Sequence, residues 1–456
     1  MRPGTFIEER RSGMDEKERK TEMSGHPAPG FVDWFREASP YIHRFRGETF
    51  VLVLDGELLG EGRMAALAHD IALLSSLGIR LVLVYGAAPQ IEAALENRAL
   101  ATMKSGGRRV TPPEALGPLM ESVGRLRFEI EAALSQGTDG TPMAGARLRV
   151  VSGNFIIGRP LGVIEGVDFL YTGTVRRVEN EAIRHHLDQG DVVLLSPLGF
   201  SPTGEIFNIL SFEVAAKTAV ALGASKIILL GKAPEIRNAR GEAVRQMVLP
   251  DAQAKEGESL RPLSLLYEAL DQGVARLHLI DGTRDGALLL ELFTRDGIGT
   301  LVSRDPFEHI RKASLDDLVA ILGLVRPLEE KGVLVRRPRE RFEMELDHFI
   351  VTCRDQTVIG CVQLTPYPAS RMAEMACLAI LPEYQGEGRG EQLLAWCRSE
   401  ARRKGFSKIF VLTTQSSRWF MERGFGLSGP EILPAERTIP YDPDRKSQVL
   451  VSDLGI

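Results

Sequence analysis

The stretch Glu374-Met-Ala-Cys-Leu-Ala-Ile-Leu-Pro-Glu-Tyr-Gln385-Gly-Glu-Gly-Arg-Gly390 carries the clearest structural signal in this sequence. An apolar strand runs into a turn with glycines at positions 386, 388 and 390, and a helix-periodic segment follows. A helix N-terminus presents unpaired amides and the positive end of a dipole, and glycines let the backbone approach a ligand. The turn therefore predicts an anion site large enough for a pyrophosphate, with a plain tight turn as the alternative. No Gly-Lys-Ser/Thr follows, so the turn is not a P-loop.

The segments around this turn predict an α+β module over residues 304–456. Short apolar runs alternate with helix-length segments, and a hairpin is predicted around residues 354–357. The predicted strands are His309–Ala313, Phe349–Cys353, Val358–Leu364, Met375–Ile380, Lys408–Leu412 and Val449–Val451. The predicted helices are Leu315–Glu330, Gly390–Lys404 and Arg418–Arg423.

Residues 31–303 have a different pattern, in which continuous apolar runs alternate with helical segments such as Met64–Leu77. Strands that are apolar on both faces, with helices between them, are typical of a mainly parallel sheet covered on both sides. The sequence therefore predicts an α/β domain with three layers, αβα. Its predicted strands are Phe50–Leu54, Arg80–Tyr85, Val192–Leu195, Lys226–Leu230 and Arg276–Ile280.

Charge and hydropathy exclude several classes of protein. The 456 residues contain 56 Lys and Arg against 61 Asp and Glu, a net charge of −5. This balance gives no general attraction to phosphate, so we expect neither nucleic acid nor a membrane surface as a partner. The apolar runs are far shorter than the roughly 20 residues of a bilayer-spanning helix. We therefore expect a soluble protein.

The cysteines and the N-terminal segment indicate the compartment. Cysteines 353, 361, 377 and 397 form no Cys-x-x-Cys pair and are accompanied by no histidine pair. We therefore expect buried free thiols in a reducing cytoplasm, with neither a metal site nor disulfides. Residues 1–30 mix acids and bases without an apolar segment, which argues against a secretory signal. We expect a mobile extension that ends at the Pro29–Gly30 break.

Two motifs of the C-terminal module resemble the GNAT N-acetyltransferases. Gln385–Gly390 resembles their Arg/Gln-x-x-Gly-x-Gly/Ala loop, which binds acetyl-coenzyme A, and Trp419–Phe425 resembles the aromatic element that flanks the cofactor. The resemblance implies that main-chain groups of the preceding strand bind the pantetheine arm. The cofactor-binding residues it implies are Cys377, Leu378, Ala379, Ile380, Gln385, Gly386, Glu387, Gly388, Arg389, Gly390 and Phe420.

Four segments together resemble one type of enzyme. Phe35–Phe50, Leu289–Val302, Val325–Arg337 and Met375–Ile380 are similar to the bacterial N-acetylglutamate synthases, which join an amino-acid-kinase-like domain to a GNAT domain. The resemblance covers the chain from Phe31 onward. It implies transfer of an acetyl group from acetyl-coenzyme A to the α-amine of L-glutamate, the first step of arginine biosynthesis. It also implies a homo-oligomer and points to a hexamer.

The resemblance assigns the residues of acetyl transfer. Glu374 matches the general base, because a carboxylate in a desolvated cleft is suited to deprotonating the substrate ammonium. Thr413 matches a hydroxyl that protonates the departing thiolate. Arg337, Arg445 and Ser447 match the glutamate-binding positions, where guanidinium groups pair with carboxylates. The alternatives are a solvated edge acid, a strand-end threonine and basic surface loops.

Arg336, Arg339 and Cys377 are further candidates for roles in this reaction. Arg336 and Arg339 flank the matched arginine and stay open as substrate ligands. Cys377 is rejected as an acyl acceptor, because GNAT enzymes transfer the acetyl group directly and a buried strand cysteine is usually inert.

The kinase-like domain departs from the catalytic pattern of acetylglutamate kinases. Those enzymes carry Lys-x-Gly-Gly after the first strand, where this chain has Val53-Leu-Asp55-Gly56. Their Gly-Gly-Gly loop is replaced by Gly86-Ala-Ala88, and Lys232 stands near a missing acidic position. Phosphoryl transfer needs a cation where charge develops, and a carboxylate there repels phosphate. We therefore expect no kinase activity, with acetylglutamate kinase and a non-catalytic arginine-responsive protein as the competing interpretations.

The same domain carries the positions that resemble the arginine site of related arginine-inhibited enzymes. Glu291 is suited to accept a guanidinium, and Lys226 to pair with a carboxylate. Without the resemblance, both are ordinary solvated charges. The regulatory arginine residues that it implies are Tyr41, Lys226, Glu291, Gly297 and Gly299.

Overall fold

A computed structural model of the chain describes residues 29–59, 63–137, 143–146, 148–238, 240–242, 244–256, 263–306, 308–354, 357–437 and 441–455. The chain divides into two compact units between Asp305 and Pro306. The predicted extension 1–30 lies outside the described residues except for its last two. Those two do not form a break, because a helix begins at Pro29, where proline's fixed φ is tolerated.

The N-terminal unit is built on a mainly parallel sheet, as predicted. Its strands are β1 (Thr49–Leu54), β2 (Arg80–Tyr85), β5 (Val150–Val151), β10 (Val192–Leu195), β13 (Lys226–Gly231), β14 (Gln246–Val248), β15 (Arg276–Asp281) and β16 (Thr300–Ser303). Among the described residues their order is β14-β16-β15-β13-β1-β2-β10-β5. Only the β15–β16 pair in this ladder is antiparallel within the described chain.

Helices cover both faces of this sheet. They are α1 (Pro29–Phe45), α2 (Gly56–Leu59), α3 (Met64–Ser76), α4 (Ala88–Glu96), α5 (Pro113–Leu134), α6 (Asn180–Asp188), α7 (Ser211–Leu222), α8 (Leu249–Glu256), α9 (Ser264–Asp271) and α10 (Ala287–Phe293). Alternate residues of β1 enter two different apolar cores, Leu52 and Leu54 on one face and Val51 and Val53 on the other. This two-sided burial explains why the strand has no polar alternation.

A smaller sheet was not anticipated from the sequence. It has the order β12-β11-β6-β9 and consists of β6 (Ile156–Pro160), β9 (Gly173–Val178), β11 (Leu198–Phe200) and β12 (Ile206–Asn208). Two short hairpins accompany it, β3 (Lys104–Ser105) with β4 (Arg108–Arg109) and β7 (Val163–Ile164) with β8 (Val167–Asp168). Their strands are too short and too polar to produce a clear period-two pattern.

The C-terminal unit is a mixed sheet with helices on both faces. Its strands are β17 (Glu308–Lys312), β18 (Phe349–Arg354), β19 (Thr357–Tyr367), β20 (Met372–Ile380), β21 (Lys408–Thr413), β22 (Gly426–Ser428) and β23 (Gln448–Asp453). They follow the order β17-β18-β19-β20-β21-β23-β22. The helices are α11 (Leu318–Glu330), α12 (Arg339–Met344), α13 (Arg389–Arg403) and α14 (Ser417–Met421).

Short 3-10 turns complete this unit, at Leu315–Asp317, Leu346–His348, Pro382–Tyr384, Pro430–Ile432 and Pro443–Arg445. The predicted helix Leu315–Glu330 is therefore a 3-10 turn followed by α11, and the turn carries a capping box between Ser314 and Asp317. Within the described parts of the chain, no helix is both long and apolar enough to cross a bilayer.

Candidate functional site

A cavity of about 460 Å³ opens in the C-terminal unit between β20, β21 and the start of α13. Most of the residues expected to bind the cofactor line it. They are Cys377, Leu378, Ile380, Gln385, Gly386, Gly388, Arg389, Gly390 and Phe420. Ala379 and Glu387 are not among the lining residues. Ala379 packs into the opposite apolar core, and Glu387 pairs with Arg389 at 2.8 Å.

The cavity exists because β20 and β21 separate. Their parallel ladder pairs Met372 with Lys408, Ala373 with Ile409 and Glu374 with Phe410. Beyond these pairs, the described ladder shows no further pairing of the two strands with each other. Main-chain groups of β20 beyond Glu374 therefore face the cavity on this side. Buried backbone groups are almost always paired, so such an edge is suited to a ligand with its own amides.

A β-bulge at Cys377 redirects the end of β20. Cys361 pairs with Ala379 and Gln363 with Ala376, so β20 has one residue more than β19 over this interval. Cys377 takes up the extra residue with a φ of +52°, which is uncommon for a non-glycine residue. Before the bulge Met375 faces the core under α13, whereas after it Ala379 faces the core under α11.

The glycine turn has the geometry of an anion site. Gly386 has a φ of +88° and Gly388 a φ of +78°, and a Cβ added at either would meet nothing within 4 Å. Gly388 is also the N-terminal cap of α13, so its neighbours present unpaired amides to the cavity. The Arg389 side chain is not available to a ligand in the same way. It is buried and donates to both oxygens of Glu308, at 2.8 and 2.7 Å.

Glu374 is buried and fully engaged, and it is not a solvated edge acid. Arg437 donates from Nε to Oε2 and from Nη2 to Oε1, both at 2.9 Å, and the Tyr367 hydroxyl donates to Oε2 at 2.9 Å. Burial would lower the pKa of Arg437, but the bound carboxylate raises it. Burial and the adjacent Glu374 carboxylate raise the pKa of Tyr367, so its hydroxyl remains a donor. The carboxylate is thus held in one orientation.

Thr413 lies at the end of β21 and lines the cavity. Its Oγ1 accepts hydrogen bonds from the amides of Ser416 at 2.9 Å and Gln415 at 3.3 Å. Because the hydroxyl oxygen accepts from the backbone, its own hydrogen is left to donate to another group. This arrangement fits a proton donor to a group in the cavity.

The three arginines of the segment 336–339 behave differently. Arg337 is largely buried, and its Nη1 donates to Gln363 Oε1 at 2.7 Å. Its Nε is buried without a hydrogen-bond partner among the described residues. Arg336 is exposed, and Arg339 pairs with Glu343 at the surface. The structure therefore favours Arg337 over its neighbours as a ligand of a buried anion.

Arg445 and Ser447 lie on the loop before β23. Arg445 Nη2 donates to the carbonyls of Gly332 and Val333, both at 3.2 Å. Val333 lines the cavity, so Arg445 tethers one of its walls. The carbonyl of Ser447 accepts from the Tyr441 hydroxyl at 2.9 Å.

Sequence reasoning missed Arg437, Tyr367 and Gln363. Gln363 offered a signal, because it is the one amide within the apolar run Val358–Leu364, and a buried polar side chain requires partners. Tyr367 and Arg437 offered none, since an aromatic strand residue and a loop arginine are ordinary. Their roles depend on contacts between residues distant in sequence.

The four cysteines are free and buried, as predicted. Burial raises the pKa of Cys377 to about 11 and that of Cys397 to about 12. Both therefore stay protonated at neutral pH, and a thiol is a poor nucleophile. This agrees with the rejection of Cys377 as an acyl acceptor. Across the described residues, no group of three or more His, Cys, Asp and Glu side chains is placed to hold a metal ion.

A second cluster of charged residues lies in the N-terminal unit. Glu291 Oε1 accepts from His278 Nδ1 at 2.7 Å, and Oε2 accepts from the amides of Ile298 at 2.7 Å and Gly299 at 2.8 Å. Lys226 Nζ lies 3.4 Å from His278 Nε2. Lys226 and Glu291 are thus buried neighbours of one imidazole and not solvated charges.

The surroundings of this cluster shift the pKa values of Glu291, His278 and Lys226. Burial would raise the pKa of Glu291, but the His278 hydrogen bond and the amides of Gly299 and Ile298 lower it to about 2. Burial and then the Lys226 charge lower the pKa of His278 to about 4. Burial also lowers the pKa of Lys226, with Arg276 and Arg44 adding to the effect. At neutral pH, Glu291 is therefore ionised and His278 is neutral.

Gly297, Gly299 and Tyr41 surround the same cluster. A Cβ on Gly297 would lie 2.5 Å from Glu291 Oε2, and one on Gly299 would lie 2.3 Å from the Leu279 carbonyl oxygen. Both positions therefore exclude a side chain. Tyr41 lies on α1, and its ring centroid is 6.2 Å from that of Phe45. Lys226 Nζ lies over the Phe45 ring, 5.0 Å from its centroid. The structure thus brings the predicted arginine residues to one region.

In the described turns after β1 and β2, no lysine stands at the position where acetylglutamate kinases carry one to neutralise phosphate. Val53 is fully buried in the apolar core. Asp55 accepts from the Glu57 amide at 3.3 Å, within the turn that follows β1. A Cβ on Gly56 would lie 2.9 Å from Pro89 Cδ and 3.0 Å from the Gly86 carbonyl oxygen, so the two turns pack closely against each other.

Comparisons with known proteins agree with both halves of this description. The profile of the amino acid kinase family matches residues 48–279, and that of the acetyltransferase (GNAT) family matches residues 318–426. The chain is 47% identical to an amino-acid acetyltransferase of Pseudomonas putida, over 93% of this chain and 100% of that protein. It is 44% identical to one of Ralstonia nicotianae, over 93% and 95% of the two chains.

Solved structures give the same result. N-acetylglutamate synthase from Neisseria gonorrhoeae, complexed with coenzyme A and L-arginine, matches with a TM-score of 0.86 at 38% identity, over 93% of this chain and all of that one. Its complex with coenzyme A and N-acetyl-glutamate matches with a TM-score of 0.60 over the same shares. With both domain types and full-length relatives matched, this chain belongs to the amino-acid acetyltransferase family, in which a GNAT domain follows an amino-acid-kinase-like domain.

Proposed function

We propose that this enzyme transfers the acetyl group of acetyl-coenzyme A to the α-amine of L-glutamate, giving N-acetyl-L-glutamate and coenzyme A, the first step of arginine biosynthesis. The observation that carries the proposal is the cavity at the β20–β21 separation. A glycine turn, an open strand edge and the Thr413 hydroxyl meet at this cavity. Glu374 and Arg337 do not line it but lie in the same unit. The Neisseria relative of known structure, with coenzyme A and N-acetyl-glutamate bound, supports this choice of substrates.

One set of residues binds acetyl-coenzyme A, and another transfers protons. The amides of Gly388–Gly390 at the start of α13 bind the pyrophosphate, and β20 binds the pantetheine arm. Acetyl-coenzyme A supplies an activated acetyl group as a thioester. An amide of β20 next to Cys377 stabilises the negative charge that develops on the acetyl oxygen.

Glu374 acts as the general base. The α-ammonium of glutamate must lose a proton before its nitrogen attacks the thioester carbon, and a carboxylate in a closed site accepts that proton directly or through water. The bond to sulfur then breaks, and Thr413 donates a proton to the departing thiolate. Thr413 recovers a proton through water from the attacking nitrogen, which loses its second proton on becoming the amide. Arg337, Arg445 and Ser447 bind the carboxylates of glutamate.

The N-terminal unit is proposed as a regulatory domain for L-arginine. Glu291 accepts the guanidinium of arginine, Lys226 pairs with its carboxylate, and Gly297, Gly299 and Tyr41 shape the site. The arginine bound to the Neisseria enzyme supports this assignment. Phosphoryl transfer is not proposed, because the buried Val53 and the half-buried Asp55 stand where a cation would be needed.

Self-association and location are also proposed. The amphipathic helix α1 exposes Val32, Trp34 and Phe35, with Phe35 52% exposed, and such an apolar surface on a helix favours contact with another copy. We expect a homo-oligomer, and specifically a hexamer, in sedimentation measurements. The four unpaired thiols fit the reducing cytoplasm.

The test is release of free coenzyme A from acetyl-coenzyme A, measured with a thiol reagent for each common amino acid. We expect turnover with L-glutamate and a response to L-arginine. Turnover with another amino acid only would refute the substrate assignment. A parallel assay of ADP formation from ATP and N-acetylglutamate checks the kinase interpretation, and robust turnover there would contradict the proposal of an inactive kinase domain.

A further inference from the structure

Among the described residues, only the Nη1 atom of the Arg337 guanidinium makes a hydrogen bond. Its Nη1 donates to Gln363 Oε1 at 2.7 Å, and its main-chain amide donates to Glu329 Oε1 at 3.0 Å. On a guanidinium, Nε and Nη2 form the edge that pairs side-on with a carboxylate, as Arg437 does with Glu374. Nε of Arg337 is buried and unpartnered within the described residues, so this edge is kept for a group that the chain itself does not supply.

A carboxylate of the protein lies close to Arg337 without taking that edge. Glu345 Oε2 is 3.5 Å from Arg337 Nη1, beyond a normal hydrogen bond. The amide of Gln363 lies between the two groups, since its Nε2 donates to the same Glu345 Oε2 at 2.7 Å. Glu345 Oε1 accepts from Arg341 Nε at 2.9 Å, which fixes the carboxylate from the other side.

Gln363 is suited to this position by its chemistry. It is 1% exposed, in the middle of β19, and it pairs with Ala376 just before the bulge of β20. Its amide presents an acceptor to the guanidinium and a donor to the carboxylate while carrying no charge. An apolar residue would leave both partners unsatisfied in a buried site, and they would then close on each other.

We propose that Gln363 is a positioning residue that separates Arg337 from Glu345 and so keeps the guanidinium available to a carboxylate of the amino-acid substrate. The inference rests on the proposed function, because it takes glutamate as that substrate. The two side chains form an ion pair at 3.5 Å. Without the spacer this contact closes to a hydrogen bond, and Glu345 then holds the guanidinium away from the substrate. Gln363 also contacts the Cys377 thiol through Oε1 at 3.8 Å, which places the spacer beside the strand that forms the cofactor cavity.

The test is a double-substitution cycle on the full-length enzyme. Gln363→Met keeps the length of the side chain and removes both hydrogen bonds. We expect the KM for glutamate to rise by about ten- to hundredfold, the range for loss of a charge-assisted bond, with little change in the KM for acetyl-coenzyme A. Adding Glu345→Gln should return the KM for glutamate to within about threefold of wild type, because residue 345 then carries no charge to capture the guanidinium of Arg337.

Gln392→Met is the matched control, since Gln392 is an exposed glutamine on α13. Its KM values should equal those of wild type. If Gln363→Met is poorly folded by circular dichroism, Gln363→Asn provides the measurement, because its shorter amide cannot reach both partners. That variant should show the same change in KM for glutamate, and the same relief by Glu345→Gln, at a smaller amplitude.

The outcomes separate this inference from the proposed function. A wild-type enzyme without glutamate turnover would refute the proposed function. With an active wild type, an unchanged KM for glutamate in the Gln363 variants would overturn the spacer role. So would a rise that Glu345→Gln does not relieve, or an equal rise for both substrates, which a general packing defect would cause.

Discussion

The two units each hold a buried glutamate, and the two carboxylates are held in different ways. Glu374 in the C-terminal unit is bound by side chains, Arg437 and Tyr367, which are 63 and 7 residues away in sequence. Glu291 in the N-terminal unit is bound largely by the backbone, through the amides of Ile298 and Gly299. Side-chain partners can rotate away during a reaction, whereas backbone amides stay fixed.

This difference agrees with the roles proposed for the two residues. A general base must exchange a proton, so its donors have to yield when the substrate arrives. A residue that recognises an effector gains from a rigid position, because no ordering cost is then paid on binding. Each of the following predictions changes a residue in one of the two units.

The largest effect is expected for Glu374→Gln. The amide cannot accept the proton from the ammonium, so kcat should fall by about 10²- to 10⁴-fold, the usual range for loss of a general base. Activity should recover in part at high pH, where the amine is already deprotonated. Initial rates and calorimetric binding of acetyl-coenzyme A measure this, and binding should be retained.

Glu343→Gln is the control for that change, because Glu343 is a surface carboxylate of the same unit. The concentration of arginine that gives half its effect should not change in either variant. Wild-type activity of Glu374→Gln near pH 7 would remove this residue from the mechanism.

Gly388→Val should raise the KM for acetyl-coenzyme A by roughly a hundredfold. A branched residue at a φ of +78° is strained, by about 1–3 kcal/mol, and its side chain enters the space of the pyrophosphate. Binding is measured by calorimetry. Gly405→Val is a matched control, since Gly405 has a φ of +79° and also meets nothing within 4 Å, but it lies at the other end of α13.

The control carries the same backbone strain without the steric block. Equal loss of cofactor affinity in the two valine variants would show that strain alone is responsible, and the assignment of the turn would then be wrong. Glutamate affinity should change less than cofactor affinity in Gly388→Val.

Glu291→Gln should weaken the response to arginine by about ten- to hundredfold in concentration, equivalent to about 1.5–3 kcal/mol for a charge-assisted hydrogen bond. The kcat without arginine should stay near wild type, because Glu291 belongs to the N-terminal unit. Arginine is titrated against initial rate in both proteins. Identical half-effect concentrations would exclude this site.

The smallest effect is expected on stability, through His278. The pKa of His278 is about 4 in the folded chain, against 6.5 for an ordinary histidine. Below pH 6.5 the unfolded chain therefore binds the proton more readily, and folding stability falls as the pH approaches 4. From pH 6.5 to 5 the loss is about 2 kcal/mol.

His278→Asn keeps a hydrogen-bond donor for Glu291 and removes this titration. Urea unfolding at pH 7 and pH 5 should show a smaller loss in the variant than in wild type. Asp70 has the opposite effect on the pH dependence of stability, because burial, and then the charge of Asp285, raises its pKa to about 6. Since Asp70 is present in both proteins, its contribution cancels in the comparison. An equal loss in both proteins would contradict the assignment of a neutral buried imidazole.

The sequence predicted the long apolar elements well. Phe50–Leu54 and Arg80–Tyr85 are strands because every residue of them except the exposed Arg80 packs into a core on one face or the other. The predicted helix Gly390–Lys404 differs by one residue at each end from α13. Strong periodicity and glycine turns are local signals, so they are readable without a structure.

Other features depend on long-range contacts and could not be predicted. The bulge at Cys377 is invisible in the run Met375–Ile380, since a residue with a positive φ there carries no local signature. The contact of Arg437 with Glu374 joins a loop to a strand 63 residues earlier in the chain. The small sheet formed by β6, β9, β11 and β12 has strands too short for periodicity to reveal.

Because β20 and β21 pair over only three residues, each strand has an exposed edge in the middle of the sheet. A strand edge in the middle of a sheet is normally a hazard, because it can recruit any extended peptide. Under the proposed function, the amides of the pantetheine arm bond to the exposed edge of β20 and complete the sheet there. We expect this edge to be exposed again at each turnover, when coenzyme A departs.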